Sequence, residues 1–127
     1  MKSWDLPSLT VRPHSPEILE SGGGGRAIVL EIPAGESLED HQVHEYAWVS
    51  VVSGEVEITA AGGERVSGGS GLMVRFEPGE RHAVHARVTT RLLLLLTPWP
   101  GEGHPGAMAL VDKQTVRGRA AEQRASS

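Results

Sequence analysis

Gly35-Glu36-Ser37-Leu38-Glu39-Asp40-His41-Gln42-Val43-His44-Glu45-Tyr46-Ala47-Trp48-Val49-Ser50-Val51-Val52-Ser53-Gly54 and, further on, Gly71-Leu72-Met73-Val74-Arg75-Phe76-Glu77-Pro78-Gly79-Glu80-Arg81-His82 are the two stretches that decide the fold. The first holds a run rich in valine and aromatic residues, the types that fit a pleated, half-buried surface, and the second holds the run Leu72-Met73-Val74-Arg75-Phe76. Each run is bounded by turn residues, Ser53-Gly54 in the first and Pro78-Gly79 in the second. Proline pre-sets the first position of a turn and glycine supplies the positive φ that tight turns need. The expected strands are 43–53, 72–77 and 82–88.

The same pattern extends outward. Strands are expected at 26–32, 55–60, 64–67 and 91–97, joined through Pro33-Ala34-Gly35, Gly62-Gly63 and Gly68-Gly69-Ser70-Gly71. Gly22 to Gly25 reads as a loop or hairpin tip. No P-loop lysine or dinucleotide-binding helix follows it, so a phosphate role is not indicated. Segment 55–60 alternates, with Val56, Ile58 and Ala60 facing one way and Glu55, Glu57 and Thr59 the other, as a sheet with one wet face requires. Segment 91–97 does not alternate, because Leu92 to Leu96 are apolar on both sides. Such a strand needs cover on both faces. One side is the barrel interior, and the other calls for the C-terminal segment or a second subunit. After Thr97, Pro98-Trp99-Pro100-Gly101 opens an irregular loop, and 107–124 reads as a helix with Met108, Leu110, Val111 and Val116 as its apolar side. The expected organisation is a strand or loop arm over 1–25, a core over 26–97, and a loop and helix of the same domain over 98–127.

Composition narrows the function classes. The 127 residues, with 16 glycines and 8 prolines, suit one domain of many short strands. There is no cysteine, which removes disulfides and thiolate chemistry and is what a reducing cytosol would lead one to expect. A net charge of −4, with arginines close together only at Arg117, Arg119 and Arg124, speaks against a nucleic-acid surface. The longest apolar run, Leu92 to Leu96, is far below the roughly 20 residues that span a bilayer. Met1-Lys2-Ser3-Trp4-Asp5 lacks the pattern of a signal peptide. The expectation is a cytoplasmic protein directed at a small molecule, with neither nucleic acid nor membrane as partner.

Taken together, the two opening stretches resemble the two motifs of the cupin superfamily. In that family the first motif runs glycine, five residues, His-x-His, three or four residues, glutamate, six residues, glycine. The second runs glycine, five residues, proline, one residue, glycine, two residues, histidine. Gly35, His41 and Gly54 match the first, and Gly71, Gly79 and His82 match the second. The resemblance covers about 35–97. It implies an all-β, antiparallel jelly-roll barrel of the RmlC-like kind, here with a short C-terminal helix. The departures are specific: the second histidine falls at Val43, the glutamate at Ala47, and the proline at Glu77 with Pro78 one place later. Of the family's metal ligands only His41 and His82 carry over.

Side chains alternate across a strand. If His41 points inward, Val43, Glu45, Ala47 and Val49 do too, and His44 points outward unless a β-bulge shifts the phase. His82 inward brings Val84 and Ala86 with it and turns His85 out. The candidate metal set is His41 and His82 with Glu45, a two-histidine, one-carboxylate triad that leaves open positions for substrate. With a bulge, His44 joins or replaces Glu45. Zinc, nickel, manganese and iron all accept such ligands. A metal enzyme would polarise a substrate oxygen, with Glu45 or His44 moving a proton. The alternative is a metal-free cupin that binds or senses a small ligand without catalysis, which the Val43 and Ala47 departures favour. His14 and His104, in proline-glycine loops, are expected to be solvated. Arg75 reads as a satisfied edge charge, with a clamp for an anionic substrate as the alternative. Tyr46 and Trp48, facing away from His41 beside the doubly apolar strand, lead to the expectation of a homodimer.

Overall fold

The structure, a computed structural model, describes residues 1–104; the helix expected over 107–124 lies outside them. Nine strands follow a short 3-10 turn at Leu6–Ser8: β1 (Glu17–Gly22), β2 (Gly25–Ile32), β3 (Ser37–His41), β4 (Tyr46–Ser53), β5 (Glu55–Ala60), β6 (Arg65–Gly69), β7 (Met73–Phe76), β8 (His82–Ala86) and β9 (Thr90–Thr97). All pairings between them are antiparallel. One sheet has the order β1-β2-β9-β4-β7 and the other β3-β8-β5-β6.

Alternation explains how these segments pack. Val56 and Ile58 of β5 are buried while Glu55 is exposed, and on β8 His82, Val84 and Ala86 are buried while His85 is exposed. β4 buries Ala47, Val49 and Val51, with Tyr46, Trp48 and Ser50 on its other face. The inward residues of both sheets meet in one apolar core that includes Leu30, Ile32, Val49, Val56, Ile58, Val84, Leu92 and Leu94. Apolar area removed from water at roughly 25 cal/mol per Å² is the main source of cohesion in such a core.

Of the segment expected as a strand over 43–53, Tyr46–Ser53 is strand, and Ser37–His41 forms a separate strand before it. Leu38 and His41 pair with β8, whereas Tyr46 onward pairs with β9 and β7, so residues 42–45 cross from one sheet to the other. That crossing passes the end of the core and places His44 and Glu45 off the regular ladders. At the other end of β4, Gly54 has φ +105, and a Cβ there would lie 2.6 Å from Thr90 Cα. Only glycine fits this turn.

Part of the outer side of β9 is covered by the N-terminal arm. Arg91 is largely buried and donates to the carbonyls of Leu6 (2.9 Å), Pro7 (3.1 Å) and Leu9 (2.6 Å) and to Glu31 (3.0 Å). The 3-10 turn packs against β4, and Pro13 forms a bridge with Glu31. The N-terminal arm therefore lies over part of the face for which the C-terminal segment or a second copy was expected. Leu95 and Met73, beyond it, stay exposed. Arg75 is a satisfied edge charge as expected, bound to Glu77 at 2.9 Å and lying over Tyr46 and Trp48.

Candidate functional site

Register builds the site. His41 of β3 and His82 of β8 are direct cross-strand partners, and Ala60 of β5 is the partner of His82 on its other side. On the facing sheet, Arg26, Leu96, Ala47 and Phe76 occupy one row across β2, β9, β4 and β7. The two rows meet, because the Phe76 ring stacks on His82 with centroids 3.9 Å apart and planes 8° from parallel. The His41 ring stands edge-on to His82 at 5.3 Å. Both histidines are about 5% exposed or less.

The protonation of this pair follows from its surroundings. His82 Nδ1 lies 3.0 Å from the Glu80 carbonyl oxygen. A carbonyl only accepts, so Nδ1 carries the proton and Nε2 keeps a lone pair. Burial lowers the pKa of His82, against the opposing pull of the Glu80 carbonyl and carboxylate. Burial, and then the neighbouring His82, lower that of His41 from 6.5 to about 4. Both rings are thus neutral at pH 7.

Glu45 and His44 belong to a different cluster. The Glu45 side chain is almost wholly buried, although residue 45 lies between β3 and β4 and not on a strand. Its Oε2 accepts the Gly101 N–H at 2.7 Å. Burial raises the Glu45 pKa, partly offset by that hydrogen bond and by the nearby His44 and Arg26. His44, half-buried, meets His104 edge-on at 5.6 Å, and His104 meets Trp99 at 4.4 Å. Arg26 lies over the Trp99 ring at 3.9 Å. The backbone at Gly101 passes so near residue 44 that a Cβ would lie 2.6 Å from the His44 carbonyl oxygen. Residues 98–104 are therefore a strap, fastened by Glu45 and seated by Trp99 against the core.

Of the sequence candidates, then, the fold joins His41 to His82, and joins Glu45 and His44 to the strap. Among the described residues no three histidine, aspartate or glutamate side chains are grouped so as to hold a metal ion. The donors present fit two ligands of a metal and not the triad. His14 is exposed, beside Glu36 at 3.3 Å, and His85 faces outward against Ser37 at 2.7 Å. His104, expected in solvent, is buried. The usable signal was Trp99: a large aromatic among prolines and glycines must find apolar cover, and it draws the next residues in with it. Phe76 was legible as a strand residue but not as the floor beneath His82, since that contact joins two sheets.

Comparison with known proteins agrees with this architecture. The cupin domain family matches residues 28–98, and the chain belongs to that family. No curated protein matches it. An RmlC-like cupin protein from Desulfovibrio desulfuricans is 19% identical, with a TM-score of 0.66 over 77% of this chain and 97% of the other. A protein with a double-stranded β-helix domain from Klebsiella pneumoniae is 18% identical, with a TM-score of 0.68 over 80% and 93%. The EutQ protein of Clostridium difficile is 16% identical, with a TM-score of 0.66 over 77% and 87%. At these identities the likeness is one of fold, an all-β antiparallel jelly roll. No helix among the described residues is long and apolar enough to cross a membrane.

Proposed function

We propose that this cupin binds a small molecule between its two sheets, at His41 and His82, without a resident metal. The observation that carries this reading is the position of Glu45. Its carboxylate is committed to the Gly101 N–H and does not complete a ligand set with the two histidines. Where the family pattern places a second imidazole and a carboxylate, this chain has Val43, packed against the apolar core, and Ala47, within it. Two buried neutral imidazoles in such a setting are hydrogen-bonding groups, which is how small-molecule sites fix a ligand inside a mostly apolar lining.

The register pairing of His41 with His82 keeps a second reading open: two imidazoles side by side can also begin a site for zinc, nickel, manganese or iron. Elemental analysis of untagged protein prepared without chelators separates the two. The expected result is substoichiometric metal and no thermal stabilisation by added divalent ions. Stoichiometric metal that disappears in both His41→Ala and His82→Ala would overturn the metal-free reading.

A further inference from the structure

We infer that the His82 ring reads a hydrogen-bond donor, so that the site selects a small molecule carrying a hydroxyl or N–H group on an apolar body. This deepens the reading above and rests on it.

The donor requirement comes from geometry. The Glu80 carbonyl holds the proton of His82 on Nδ1, which leaves Nε2 able only to accept. Every buried side-chain nitrogen and oxygen among the described residues has a hydrogen-bond partner. His82 has its partner at Nδ1 and none at Nε2 among those residues, so the little exposure this ring retains includes Nε2. Phe76 covers one face of the ring and fixes its plane. An acceptor of fixed direction selects for a group that brings a proton. An ether or a carboxylate brings none.

The apolar body follows from the neighbours. Ala47 lies beside Phe76 on one sheet and Ala60 beside His82 on the other. Farther into the core, the same strands present Val49 and Ile58. The two methyl groups therefore give the histidine row the smallest side chains along these strands, and the surfaces they leave are hydrocarbon. A ligand seated there buries apolar area while making one directed hydrogen bond, and a missing directed bond is discriminated more strongly than a missing methylene.

The test uses the full-length protein, labelled with 15N at histidine, and three probes of similar size: phenol, anisole and benzoate. At pH 7 His82 should report a protonated Nδ1 and an unprotonated Nε2. Phenol should shift the Nε2 resonance and bind about tenfold more tightly than anisole, the ratio set by one hydrogen bond of about 1.4 kcal/mol; benzoate should leave the resonance unmoved. Ala60→Val, which adds two methyl groups beside His82 and leaves its Nδ1 hydrogen bond to the Glu80 carbonyl in place, should abolish the phenol effect. Equal binding of phenol and anisole, a preference for benzoate, or a His82 protonated at Nε2 overturns the donor assignment and leaves a ligand site at the pair. If none of the three probes perturbs His41 or His82, both the donor assignment and the underlying binding reading fall.

Discussion

At the scale of single residues the neutral histidine pair has a consequence for stability. His41 takes up a proton near pH 4 in the folded protein but near pH 6.5 in an unfolded chain. Between those values the unfolded state binds more protons, so the contribution of His41 is complete above pH 6.5 and is lost as pH falls toward 4. If His41 acts alone, the loss is at most about 3 kcal/mol. His82, lowered as well, acts in the same direction. Glu45 acts in the opposite one, because its raised pKa means that the folded state takes up that proton first as pH falls. Urea unfolding at pH 7 and pH 4.5 should show a marked fall for the wild type and a much smaller one for His41→Gln. Equal pH dependence in the two proteins would contradict the burial argument. His41 and His82 were legible because each sits at a fixed interval from turn glycines. The buried state of His104 was not, because it depends on where a distant strap lies.

Among the elements, the N-terminal arm is fastened to the five-stranded sheet by Arg91. Arg91 bonds three of its carbonyls and Glu31 at once, a span suited to a planar guanidinium with five donors. Arg91→Ala would free the arm and leave Glu31, itself mostly buried, without its cation. The expected cost is about 3 kcal/mol, in the range for breaking a buried ion pair. Hydrogen exchange should show protection lost at the His14 amide, which bonds the Glu31 carbonyl, while β5 and β8 keep theirs. A uniform loss of protection over both sheets would mean that Arg91 supports the whole fold and not the arm. β5 was readable in the sequence to the residue, since its alternation is strict. β1 was not, because five of its six residues are exposed and no apolar pattern marks them; it is a strand because β2 offers it an edge. β3 was hidden by its charge, with Glu39 and Asp40 next to His41.

For the whole molecule, the two-motif resemblance made the family legible, while assembly has to be argued from what the fold leaves uncovered. The N-terminal arm accounts for one part of the outer face of the five-stranded sheet, where Val29 is fully buried although it points away from the core. In the next row, Leu95 lies between Ala27 and Trp48, with Arg75 beyond, and Met73 stands on the edge strand β7. Leu95 is 39% and Met73 56% exposed. Exposed apolar residues gathered on one sheet face are costly in a monomer. A second copy presenting the same row is the proposed cover, because two-fold pairing lets one patch bury itself against its equal. Such a dimer would centre on Leu95 and Trp48, with Arg75 and Glu77 at its rim. Light scattering coupled to gel filtration should give twice the 13.5 kDa of one chain at micromolar concentration. Leu95→Glu should halve that mass and leave the circular dichroism spectrum unchanged, since the side chain points away from the core and the substitution places a charge at the centre of the contact. A wild-type mass of one chain would mean that no second copy covers this face.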